Sequence, residues 1–150
     1  NKRGKLTDEE FEIMKQHTVI GASILEELTM YQDEPLVKTA YRVCRWHHER
    51  YDGRGYPDGL KGEEIPISAQ VVSLADVYDA LTSERVYKKA FSHEKAMEMI
   101  LAGECGTFNP LLLECLQDIQ GNIQVEMKRA AEQPMLVQNS YVGKMIETVQ

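Results

Sequence analysis

An all-α fold is predicted by three features of the 150 residues. Apolar side chains recur at helical spacing, capping residues stand where those stretches begin, and β-branched alternation is nowhere sustained. Thr7 and Glu10 open the first helix as a capping box, in which hydroxyl and carboxylate satisfy opposite orphan amides. Ile13, His17, Ile20 and Ile24 then follow at i, i+4, i+7 and i+11, which predicts a helix from Asp8 to about Met30 with those residues on its apolar face. A second helix begins near Asp33–Pro35, where proline is pre-shaped for a first turn, and carries Leu36, Ala40, Val43, Cys44 and His47 as its stripe. Four of the ten glycines fall between Gly53 and Gly62 beside Asp52, Pro57 and Asp58, so that stretch is a loop. Pro66 reopens helix, with Ile67, Val71, Leu74, Tyr78 and Leu81 along one side. Ser92 caps a helix from His93 to about Ala102, and Asn109-Pro110 starts another. Gly121 and Pro134 are expected to divide the remainder into two helical pieces, so that a domain of residues 1–118 is followed by a helical extension over 119–150.

With 43% apolar and 27% charged residues, the chain has the composition of a folded globular domain rather than a disordered tail. Its longest unbroken apolar run is Met99–Ala102, too short to span a membrane. No cationic stretch followed by an apolar one opens it, and Cys44, Cys105 and Cys115 are an odd number without CxxC spacing. The expectation is a cytoplasmic domain with reduced, mostly buried thiols. A net charge of −7 argues against duplex nucleic acid as a partner, because that affinity depends on many phosphate contacts. A small anionic ligand needs only a few local cations.

His17 and His47 each lie on an apolar stripe, where a hydrogen-bonded core histidine is the ordinary explanation. The adjacent pair His47-His48 points elsewhere. Neighbours on a helix diverge by about 100°, so two imidazoles fan out at a helix end and grip one ion or two neighbouring ions. Asp76 and Asp79 are three apart and share a face with Ala69 and Val72. They form either a solvated acidic edge or, since the segment reads as interior, carboxylates that must be paired or bind metal. Three imidazoles and a carboxylate suit iron, manganese or zinc. The basic stretch from Ser83 to Lys89 is either solvated charge or a phosphate site, with Arg85 as the fork and Lys88 as a point charge. In the glycine loop, Arg54 and Tyr56 are candidates to touch the phosphate and base of a ligand.

Together, His47-His48-Glu49, Asp52-Gly53-x-Gly55-Tyr56-Pro57 and the run Leu74 to Ser83 with Arg85, Tyr87 and Lys88 resemble the HD-GYP family of bacterial phosphodiesterases. Gly4-Lys5-Leu6-Thr7 and Met14-Lys15-x-His17 look like the same family's preceding helix, so the likeness runs from Gly4 to Pro110. The resemblance implies a partial HD-domain-like helical bundle that hydrolyses cyclic di-GMP or a related cyclic dinucleotide. It implies divalent ions, iron or manganese foremost and zinc as an alternative, whose bridging hydroxide attacks phosphorus. By position it makes His17, His47, His48 and Asp76 metal ligands. Arg85, Lys88, Tyr56, Arg54 and Asp79 fall to the substrate, and a sensor or receiver domain is expected on the amino side.

One departure stands out. The family is named for a His-Asp dyad, and no histidine here precedes an aspartate: the four are followed by Thr18, His48, Glu49 and Glu94. The expectation is therefore a portion of a longer enzyme, inactive in isolation, with homodimerisation through the exposed apolar surface. The alternative is a catalytically degenerate module that binds a cyclic dinucleotide or a protein partner.

Overall fold

Helices are the only extended regular structure among the described residues (6–84 and 89–132) of this computed structural model. They are α1 (Asp8–Glu26), α2 (Pro35–Trp46), α3 (Ile67–Thr82), α4 (His93–Leu101) and α5 (Pro110–Glu132), with 3₁₀ turns at Thr29–Tyr31 and Gly62–Glu64. The starts follow the capping signals. Glu10 N–H donates to Thr7 Oγ1 at 3.2 Å and Thr7 N–H to Glu10 Oε2 at 2.7 Å, Pro35 stands at the first turn of α2, and Lys95 N–H donates to Ser92 Oγ at 3.2 Å. α1 stops earlier than expected, at Glu26. Gln32 Nε2 closes that end by donating to the carbonyls of Leu25 and Glu26, both at 2.9 Å, which satisfies acceptors the helix leaves open.

The chain divides into two compact units, Asn1–Leu113 and Glu114–Gln150. In the first, α1 packs on α2, α2 on α3 and α3 on α4. Its core holds Thr18, Ala22, Ile65, Ala69, Leu74, Tyr78, Leu81, Ala96, Met97 and Ile100. A polar tie crosses it: Asn109 Nδ2 donates to Gln70 Oε1 at 3.0 Å, and Gln70 Nε2 donates to the Ile65 carbonyl at 2.7 Å.

The inward face of α1 is not the predicted one. Ile13, Ile20 and Ile24 are 72%, 57% and 60% exposed, whereas Thr18 and Ala22 are buried and Met14, Val19 and Leu25 half-buried. Small residues decide this. A Cβ added at Gly21 would already touch Cys44 Cβ at 3.5 Å, so α2 approaches α1 along the side that hydrophobicity marks least. Leu36, Ile67 and Val71 are likewise exposed, at 79%, 55% and 48%. A second correction concerns α5, which continues through Gly121 to Glu132; Pro134 lies outside the described residues. The cost of an interior glycine, about 1 kcal/mol, is too small to break a long helix. No disulfide joins cysteines among the described residues, and Cys115 is exposed while Cys44 and Cys105 are only half-buried. No helix of the described residues is long and apolar enough to cross a membrane.

Candidate metal centre

Three imidazoles meet where α1 passes the end of α2. His17 comes from the middle of α1, while His47 caps α2 and His48 follows it. His17 Nδ1 donates to the Met14 carbonyl at 2.7 Å and His47 Nδ1 to the Val43 carbonyl at 2.8 Å. A carbonyl only accepts, so both Nδ1 atoms carry hydrogen, and Nε2 is the nitrogen each ring has left to offer an ion. These two Nε2 atoms face each other at 3.4 Å. Two ring nitrogens aimed at each other need a proton or a cation between them. Two nitrogens bound to one tetrahedral ion at about 2.1 Å would themselves stand about 3.4 Å apart. His48 completes the group, and the donor atoms of the three side chains all lie within 4.8 Å of one another.

His48 is half-buried. Burial and the neighbouring His47 and His17 lower its pKa to about 4, with Asp76 opposing the shift. It is therefore neutral at physiological pH, the state a ligand needs. Tyr56 stacks on it, ring centroids 4.8 Å apart and 27° from parallel. The Tyr56 hydroxyl reaches Met14 Sδ at 3.9 Å, Phe11 meets its ring edge-on, and Lys15 Nζ stands 5.8 Å from its centroid.

Asp76 acts on this group from α3, but its carboxylate is not one of the donor atoms within 4.8 Å. The expectation of an interior face is corrected here: Asp76 and Asp79 are both exposed, turned away from the buried Leu74, Tyr78 and Leu81, and the burial of Ala69 on their own side does not extend to them. Asp79 Oδ1 accepts from Ser83 Oγ at 2.9 Å, closing the last turn of α3.

Residues 1–109 match the HD domain family over more than two thirds of the chain. The chain belongs to the HD domain family. HD domains are metal-dependent phosphohydrolases, and this donor set of imidazoles in nitrogen-only contact fits a borderline transition metal. A probable cyclic di-GMP phosphodiesterase of Vibrio cholerae serotype O1 is 42% identical over 139 residues, covering 91% of this chain and 32% of that protein. A cyclic di-GMP phosphodiesterase of the same organism is 46% identical over 120 residues, 79% of this chain and 24% of the relative. The cyclic di-GMP phosphodiesterase response regulator RpfG of Xanthomonas campestris pv. campestris is 40% identical over 125 residues, 83% and 32% respectively. The chain thus spans a quarter to a third of the length of these relatives.

Within the HD domain, the described contacts bring one of the predicted substrate residues, Tyr56, against the cluster. Arg54 lies on the same loop, exposed, with its guanidinium tied to Asp52 Oδ2 at 2.9 and 3.1 Å. Arg85 and Lys88 lie outside the described residues. Glu49, quoted in the HD-GYP string without a role, is the residue the sequence reading passed over. It is 3% exposed, and its Oε1 accepts from the amides of Asp58 at 2.7 Å and Gly59 at 2.9 Å. Burial raises its carboxyl pKa against the pull of those amides. Position beside two candidate ligands was the available signal.

Proposed function

We propose that this chain is part of a bacterial metal-dependent phosphodiesterase that hydrolyses cyclic di-GMP in the cytoplasm. The observation that carries the reading is the pair of Nε2 atoms held face to face, with a third imidazole beside them. Two backbone carbonyls orient those rings, as outer partners of metal-binding histidines generally do. The names of the relatives supply the substrate class.

In this proposal His17, His47, His48 and Asp76 hold the ion, iron or manganese in preference to zinc, and Asp76 closes onto it from α3. When bound, the ion supplies a water that is nucleophilic at neutral pH and neutralises charge on the phosphodiester. Arg85 and Lys88 hold phosphate, Tyr56 offers its ring to a base, and Arg54 and Asp79 line the approach. A sensor or receiver domain precedes this region in the whole protein, and a second copy covers its exposed apolar surface.

No His-Asp dipeptide occurs in these 150 residues, and that observation favours a second reading of the isolated chain, as a module that binds metal and cyclic dinucleotide without turnover. Purified chain loaded with Mn²⁺ or Fe²⁺ is expected to retain metal after desalting and to hydrolyse cyclic di-GMP negligibly. Measurable turnover would refute its inactivity. In a longer form carrying the whole site, His47→Ala should abolish both metal retention and hydrolysis. The Arg85→Ala/Lys88→Ala variant should weaken substrate binding and leave metal content unchanged; loss of metal in that variant would reverse the role given to the two cations.

A further inference from the structure

The glycine loop is wound around one side chain. Glu49 follows His48 directly, and its buried Oε1 gathers the amides of Asp58 and Gly59 from the far end of the loop. At the near end, Gly55 lies so close that a Cβ there would stand 2.4 Å from both Glu49 Cα and Arg50 N. Between these two anchors, Tyr56 N–H donates to the His48 carbonyl at 3.2 Å and the Tyr56 ring lies on the His48 ring. The other carboxylate oxygen, Oε2, is buried without a hydrogen-bond partner among the described residues.

We propose that Glu49 is a positioning residue: by clamping Asp58 and Gly59 it seats Tyr56 on His48 and fixes the orientation of that imidazole. The function asked of Glu49 is acceptance at Oε1, and a glutamine amide oxygen accepts equally well. Ionisation is not required of it, nor contact with an ion. Its effect on metal affinity rests on the reading of His48 as a ligand. Its effect on the ring contact does not, so the two fail separately.

The test uses histidine-labelled, metal-free chain and reads the His48 ring protons by NMR. A tyrosine stacked on them shifts them upfield. That shift is expected in the wild type and in Glu49→Gln, and is expected to collapse in Glu49→Leu and in Tyr56→Leu. Cobalt titration followed by visible absorption should place Glu49→Leu roughly 10–100-fold weaker than wild type, the usual cost of losing an outer partner of a ligand. Glu49→Gln should stay within about threefold. A double-mutant cycle of Glu49→Leu with Tyr56→Leu should be less than additive, since one contact is lost in both. An unmoved His48 signal in Glu49→Leu overturns the proposal. So does Glu49→Gln behaving like Glu49→Leu, which would make the charge essential. Should Glu49→Leu fail to fold, Glu49→Gln and Tyr56→Leu decide by the same two readouts. A normal ring shift pattern with no cobalt binding in any variant would instead count against the metal site and leave the clamp standing.

Discussion

Asp58 ties the end of α2 to the glycine loop through three bonds: Oδ2 accepts from Arg45 Nε at 2.8 Å and Trp46 Nε1 at 2.7 Å, and Oδ1 from Arg45 Nη2 at 2.8 Å. The Arg45 guanidinium, above all, holds the Asp58 carboxyl below the usual carboxylate range. The folded state therefore releases this proton more readily than the unfolded one. Its contribution is complete above the ordinary aspartate value of about 3.9 and is lost as pH falls through the lower folded value. Asp58→Asn should cost about 1–2 kcal/mol at pH 7, less than a fully buried charged bond because both partners reach solvent. The gap from wild type should narrow as the pH falls below the ordinary aspartate value. Urea unfolding followed by fluorescence of Trp46, the one tryptophan of the sequence, measures both. A gap that is constant from pH 7 to pH 3 would contradict it. At this scale the histidines were legible because adjacency and spacing put them near a helix end. Asp58 and Glu49 were not, since their partners are backbone amides or side chains about ten positions away, which leave no periodic trace.

Two glycines carry opposite expectations at the scale of elements. Gly55→Ala would drive a Cβ into the backbone of Glu49 and Arg50, at 2.4 to 2.6 Å, where no side chain is free to yield. It should destabilise by about 3 kcal/mol, the upper part of the range for overpacking, and should weaken metal binding with it. Gly121 lies in the interior of α5, where an added Cβ meets nothing within 4 Å among the described residues. Gly121→Ala should stabilise the helix by about 0.5–1 kcal/mol. Thermal melts of the two variants test the pair, and a neutral Gly55→Ala would show that the loop can move away from Glu49. Helix starts were legible because a cap is a local chemical signature. The course of α5 was not, because the break expected at Gly121 weighed one residue above the helical length around it. Nor does glycine content say which backbone a loop will lie against.

For the whole molecule, the fold class followed from periodicity, but the face that α1 turns inward did not. Helical spacing identifies a stripe, whereas close packing selects the side that lets a neighbour approach, here Thr18, Gly21 and Ala22. That choice leaves Ile13, Ile20 and Ile24 on the outside with His17 among them, an apolar strip of the kind that marks association. Fully burying an isoleucine is worth about 1.5–3 kcal/mol, and these three retain over half their exposure. Two such strips pressed together therefore gain roughly 6–10 kcal/mol, against an association cost of about 4–15 kcal/mol. The balance predicts weak self-association, aided when salt screens the net charge of −7. Light scattering should give a mass that rises from monomer toward dimer over the micromolar range, more steeply at 0.5 M than at 0.05 M NaCl. Ile13→Glu/Ile20→Glu should hold the mass at monomer with unchanged helix content, because neither side chain supports the core. A wild-type mass that stays monomeric up to about 200 μM at both salt concentrations would mean that the strip does not pair with itself, and that the gain assigned to it fails to exceed the cost of bringing two copies together.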